Sequence, residues 1–168
     1  AAARQAHRAE LAARHNLSPE APWIAVAAMM RPGDKLDSYR ILGRTMRLLS
    51  DLSLTWLIAG DGPARGAVEA ALRSSGVVYL GALDHGGIDR LHAAADFAVW
   101  PAIREAFGMA LLEAQAAGLP VVAGDSPGVA QIVADGETGL LTPSGDETML
   151  AKAVRRLVEE PALRQRMR

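Results

Sequence analysis

Short apolar runs without polar alternation, each followed by a glycine-rich loop and a helix-patterned stretch, constrain this chain more than any other feature. Trp23 to Met30 is the first run. Arg31-Pro-Gly-Asp follows it, and then Leu36, Tyr39, Leu42, Met46 and Leu49 at helical spacing. The pattern returns as Leu54 to Ala59, a Gly60-Asp-Gly-Pro turn, and a helix over Ala64 to Arg73 with Pro63 near its first turn. Val77 to Leu80, Phe97 to Trp100, Val121 to Ala123 and Gly139 to Leu141 read as further strands. Ile88 to Ala94, Gly108 to Ala117 and Asp146 to Glu159 read as helices. Continuously apolar strands are buried on both faces, and each parallel crossover needs a connecting element laid on the sheet. The expected fold is α/β, a doubly wound parallel sheet of about six strands with helices on both faces.

Length and charge narrow the function classes. The 168 residues suit one core. Half are hydrophobic, and 18 basic side chains meet 19 acidic ones, so neither disorder nor nucleic-acid binding is indicated. There is no cysteine, which removes disulfides, thiolate metal ligands and thiol nucleophiles and fits a cytoplasmic home. No stretch resembles a signal peptide or approaches the ~20 apolar residues of a transmembrane segment. Residues 1–20 read as a leading helix or linker remnant and 21–168 as the domain proper, cut from something longer. The basic ending, Arg164, Arg166 and Arg168, reads as a solvated helix face.

In doubly wound folds ligands sit beyond the carboxyl ends of the strands, so the loops there are the places to look for chemistry. The stretch from Pro101 to Gly124 carries Glu105 and Glu113 with seven residues between them, and from Ala106 to Gly124 Glu113 is the only charged residue. Either it faces a ligand cleft, about two turns along its helix, or it is solvated. Glu105 lies in the loop before that helix, where Gly108 lets a ligand approach the backbone and first-turn N–H groups can bind an anion. It serves equally well as a complement to the helix dipole. Arg31 and Lys35 flank Pro32-Gly33-Asp34, and Lys35 falls near a helix N-terminus, where a cation is disfavoured unless an anion joins it. They suit a diphosphate, or they are solvated surface charges. Gly60 to Gly66 imitates a dinucleotide fingerprint with its third glycine one position late, and a plain tight turn explains it as well. His7, His15, His85 and His92 form no metal spacing, and no metal site is expected.

These residues, with MMRPGDK, LIAGDGP, VVYLGALD, PAIREAFGMALLEAQAAGLPVVAG and ADGETGLLTPSGD between Trp23 and Asp146, resemble the C-terminal, donor-binding domain of retaining GT-B glycosyltransferases with paired glutamates. The resemblance implies a Rossmann-like half of a two-domain enzyme that transfers a hexose-type sugar from a nucleoside diphosphate sugar, with the nucleotide a UDP or GDP. By it, Glu105 meets the donor sugar and Glu113 the ribose. Phe107, Gly108 and Met109 offer N–H groups near the diphosphate, and Arg31 and Lys35 neutralise it without metal or other cofactor. Leu83 packs on the base with His85 nearby, Leu112 lies beside the ribose, and Gly33 and Gly60 let the backbone approach. An N-terminal domain, absent here, is expected to bind the acceptor. The isolated domain is then inactive, and peripheral membrane contact of the whole enzyme stays open. Gln131 stands where the family frequently has Glu. The competing readings are a non-catalytic nucleotide-binding or regulatory module on the same fold, and an NAD(P)-binding domain resting on Gly60 to Gly66.

Overall fold

The computed structural model describes residues 2–168. Six parallel strands form one sheet in the order β3-β2-β1-β4-β5-β6: β1 Trp23–Ala27, β2 Thr55–Ala59, β3 Val77–Gly81, β4 Phe97–Trp100, β5 Val121–Asp125 and β6 Gly139–Pro143. The helices are α1 Ala2–His15, α2 Asp34–Leu48, α3 Arg65–Ala71, α4 His85–Ala94, α5 Met109–Ala116, α6 Pro127–Ala130, α7 Glu147–Glu159 and α8 Pro161–Arg166. α3, α2 and α7 pack as one layer, and α1, α4 and α5 form the other, placed on the opposite face by right-handed crossovers. β1 and β4, at the middle of the sheet, are buried almost throughout, which is why they read as unbroken apolar runs. The doubly wound α/β expectation therefore holds.

Several boundaries move. The first apolar run ends as a strand at Ala27, three residues before Met30, because the backbone leaves the ladder to meet the next loop. Ala28 and Met30 N–H groups still donate to the Ala59 and Asp61 carbonyls, at 3.0 and 2.9 Å, and Met29 turns out to 62 % exposure while Met30 is buried. α4 begins three residues earlier than its apolar pattern suggests, since the Asp84 side chain accepts from Gly87 N–H at 2.7 Å and caps it. α6 is too short for periodicity to reveal.

The leading segment is docked rather than loose. Arg8 donates to the carbonyls of Pro19, Ala21 and Ala94, pairs with Asp96 at 3.1 Å and stacks over the Trp23 ring at 4.3 Å. Arg4 adds a 2.7 Å bridge to Asp96, whose carboxylate also accepts from Trp23 N–H. Nor is the basic ending wholly solvated. Arg164 donates to the Leu157 and Val158 carbonyls, satisfying acceptors that the end of α7 leaves free, and Arg168 reaches the Asp96 carbonyl. Among the described residues, no helix is long and apolar enough to cross a membrane.

Candidate functional site

The strand order reverses between β1 and β4, so the loops leaving these neighbours run to opposite sides and open a crevice at the carboxyl edge of the sheet. Residues 28–33 lead from β1 into α2, and residues 101–108 lead from β4 into α5. A cleft of about 690 Å³ lies there, and Arg31, Lys35, Gly60, Leu83, Glu105, Phe107, Gly108, Met109 and Glu113 all line it. A separate hollow of about 350 Å³ between α1, β3 and α4 shares only Leu83 with it and holds none of the paired charges described next.

Two side chains that the sequence offers separately meet in this cleft. Lys35 Nζ donates to Glu105 Oε2 at 2.6 Å, and the Trp100 indole N–H donates to the same oxygen at 3.3 Å. The pair is largely shielded, with 21 % and 15 % of the Lys35 and Glu105 side chains exposed. Burial pushes the Glu105 carboxyl up, but the hydrogen bond and charge of Lys35, with the N–H groups of Trp100 and Gly108, outweigh it and hold the group below its ordinary value. Glu105 thus supplies the anion that makes a lysine tolerable at the start of α2.

The loop that presents Glu105 is strained and clamped. Ala102 and Arg104 have φ of 58° and 47°, a left-handed conformation that costs a non-glycine residue about 1–3 kcal/mol. Contacts from both sides hold it. Ser38 of α2 accepts from Ile103 N–H at 2.9 Å, and the Arg104 guanidinium pairs with Asp34 and Asp37 at the start of the same helix. On the other side the Glu105 carbonyl accepts from the Ser126 hydroxyl and Gly128 N–H, both at 3.3 Å. A Cβ at Gly128 would overlap the Ala106 backbone. Gly128→Ala is accordingly expected to lower the unfolding free energy by about 1–3 kcal/mol, as overpacking does. Urea denaturation measures this, and an unchanged midpoint would mean that the loop yields freely.

Other sequence-derived residues are more scattered. Glu113 is exposed and is the fifth residue of α5, just over one turn in rather than two, because the helix starts only at Met109. Its charge acts on His92 of α4, whose pKa burial lowers while Glu113 and Asp89 oppose the shift. Phe107 and Met109 stand 75 % and 57 % exposed at the cleft mouth. Gly33 caps α2 and lines an adjoining hollow of about 540 Å³ with Arg31, Lys35 and Arg104, not the main cleft. His85 and Leu112 are exposed and do not line the cleft. Gly60 and Gly62 have φ of 145° and 150°, and a Cβ on either would strike the Ala28 or Met30 carbonyl. Packing of loop on loop accounts for both glycines, whereas a Cβ at Gly66, the third glycine of the pattern, would meet open space. Sequence reasoning missed Trp100 as a partner of Glu105, and Ser38, Arg104 and Ser126 as its loop's supports. Of these only Trp100, the last strand residue before Pro101, carried a positional signal.

Fold and cleft define a doubly wound α/β domain whose ligand crevice lies at the switch point and is furnished with a cation and a carboxylate. The glycosyl transferases group 1 family matches residues 21–160, and the chain belongs to that family. It is 31 % identical over 167 residues to an alpha-D-kanosaminyltransferase of Streptomyces kanamyceticus, covering 97 % of this chain and 43 % of that protein. The chain therefore spans less than half the length of that relative. Among solved structures, sucrose-phosphate synthase from Thermosynechococcus elongatus superposes with a TM-score of 0.78 at 26 % identity, over 95 % of this chain and 41 % of the other. Anabaena HepE, crystallised with UDP and glucose, gives a TM-score of 0.76 at 22 % identity, over 96 % and 45 %.

Proposed function

We propose that this chain is the donor-binding domain of a retaining glycosyltransferase that moves a hexose-type sugar from a nucleoside diphosphate sugar to an acceptor. The observation that carries the reading is the Lys35 and Glu105 pair, 2.6 Å apart, in a cleft at the switch point of the sheet. Lys35 and the exposed Arg31 neutralise the diphosphate and the charge that develops on it as the sugar leaves, a role that needs no metal ion. Phe107, Gly108 and Met109, at the start of α5, offer N–H groups to the same phosphates. Glu105 holds donor-sugar hydroxyls, and Glu113 the ribose. Leu83, on the cleft wall, packs on the base, which is a UDP or GDP base by the family likeness and the UDP that HepE carries. The retaining outcome rests on the likeness of the paired glutamates to those of retaining GT-B enzymes. Residues 21–168 form the donor domain. The acceptor is bound by an N-terminal domain of the whole enzyme, in keeping with the 43 % of the kanosaminyltransferase that this chain spans. The absence of cysteine fits a cytoplasmic setting.

Calorimetry of this chain with UDP, GDP, ADP and their sugars is expected to show metal-independent binding of at least one pair. Incubation of the same donors with acceptors is expected to yield no glycoside. Absence of binding to every nucleotide would end the donor reading. Transfer by this chain alone would overturn the division of labour between two domains.

A further inference from the structure

We propose that Trp100 is a positioning residue for Glu105: its indole N–H holds the carboxylate in the cleft independently of Lys35, so the acid stays aimed when an anion draws the lysine away. The role of that anion rests on the donor-binding reading above; the geometry of the tryptophan does not.

Lys35 and Trp100 converge on one oxygen, Glu105 Oε2, at 2.6 and 3.3 Å. They are donors of different kinds. An ammonium is a compact charge on a flexible stem with three hydrogens to offer, and a diphosphate competes for it with more charge and more acceptors than one carboxylate has. An indole has a single N–H and no acceptor, and it turns only with its ring. Trp100 closes β4 and is 3 % exposed, so its ring is not free to turn. Tyr39 of α2 packs against it edge to face, with centroids 5.0 Å apart and planes at 77°. The Tyr39 hydroxyl is anchored in turn, donating to the Ala28 carbonyl at 2.8 Å where β1 passes into the cleft loop. The face of the same indole lies 5.4 Å from Lys35 Nζ, within cation–π reach. One tryptophan therefore touches both charges: its edge holds the acid, and its face gives the ammonium a resting place that a stronger anion can outbid.

Once Lys35 turns to phosphate, the Trp100 N–H remains as the side-chain donor that holds Glu105 in place. The other charged groups nearby are Arg31, Asp34 and Arg104 along the adjoining hollow and Asp61 and Glu113 on the cleft wall. None of them hydrogen-bonds to the Glu105 side chain among the described residues.

The first test needs no nucleotide. The chain has three tryptophans, so three indole ¹H–¹⁵N signals are followed as the pH is lowered. The Trp100 signal, assigned by its loss in Trp100→Phe or, if that variant does not fold, by its Tyr39 contacts, is expected to shift as Glu105 protonates. The shift should vanish in Glu105→Gln. It should persist in Lys35→Met with its midpoint at higher pH, because a group that lowers the carboxyl pKa has been removed. A Trp100 signal indifferent to Glu105, or one that loses its response together with Lys35, overturns the proposal. The second test is calorimetry of Trp100→Phe with UDP and UDP-glucose, GDP and GDP-mannose, and ADP and ADP-glucose. The sugar nucleotide that the unsubstituted chain binds should weaken about fivefold, the worth of one modest hydrogen bond, and its diphosphate should stay within about twofold. Equal losses for the two ligands would refute positioning through Glu105. If the unsubstituted chain binds none of these ligands while the indole signal titrates as described, the positioning role stands and the donor-binding reading falls.

Discussion

Lys35→Ala is expected to weaken binding of a nucleoside diphosphate by about 10- to 100-fold while the free nucleoside keeps nearly its full affinity. The lost contact is charge-assisted, of about 1.5–3 kcal/mol, and each 1.4 kcal/mol is roughly tenfold. The structure adds a second contribution of the same sign. Lys35 is the ion-pair partner of Glu105, so its truncation leaves a shielded carboxylate unneutralised in the cleft proposed to receive the phosphates. The loss should therefore lie toward the upper end, and adding Glu105→Gln to Lys35→Ala should restore part of the diphosphate affinity. Arg31→Ala should act in the same direction but more weakly, because Arg31 is exposed and its contacts are made in water. Calorimetry with nucleoside, monophosphate and diphosphate decides the matter. Equal losses for all three would mean that Lys35 does not touch phosphate.

The same substitution has a pH signature. Glu105 sits below its ordinary pKa, so it contributes stability that is present above the unfolded carboxyl value and fades as pH falls through the folded one. Removing Lys35 takes away its hydrogen bond and charge while burial, which acts upward, remains. The acid-side stability that Glu105 supplies should then shrink, which urea midpoints measured on both sides of the carboxylate range would reveal.

How much of this was legible in the sequence depended on whether the cause was local. The central strands were readable because burial on both faces leaves an unbroken apolar run, as in Phe97 to Trp100. The start of α5 was nearly readable because Gly108 marks it, with φ of 64°. The pairing of Lys35 with Glu105 was not. It spans 70 positions and exists only because β1 and β4 are neighbours, a fact of strand order that no local pattern encodes. Nor did Ala-Ile-Arg-Glu announce left-handed residues at Ala102 and Arg104, since neither is Gly, Asn or Asp. Their conformation is imposed from outside, by Ser38, Asp34 and Asp37 on one side and by Ser126 and Gly128 on the other. Glu105 was thus recognisable as a residue in a promising loop, but its partners were not.

The two glutamates should separate cleanly, because their surroundings differ as much as their assigned partners. Glu105 is shielded and paired, whereas Glu113 is exposed one turn into α5 and, among the described residues, has no charge partner beyond the influence it shares with His92. Glu105→Gln is expected to reduce affinity for the nucleotide sugar by at least about tenfold, the worth of a charged hydrogen bond to the hexose. The bare diphosphate should bind as well as before or slightly better, since the substitution removes a negative charge and releases Lys35 from its competing partner. Glu113→Gln should weaken both ligands by about tenfold or more, because both contain the ribose. Stability supplies the control. Glu105→Gln leaves a largely shielded ammonium without its counter-charge and should lower the melting temperature, while the exposed Glu113→Gln should stay within about 0.5 kcal/mol of the parent. A purely structural role for either residue would change stability without discriminating between the ligands. If folded Glu105→Gln loses diphosphate and nucleotide sugar to the same extent, Glu105 does not hold the hexose.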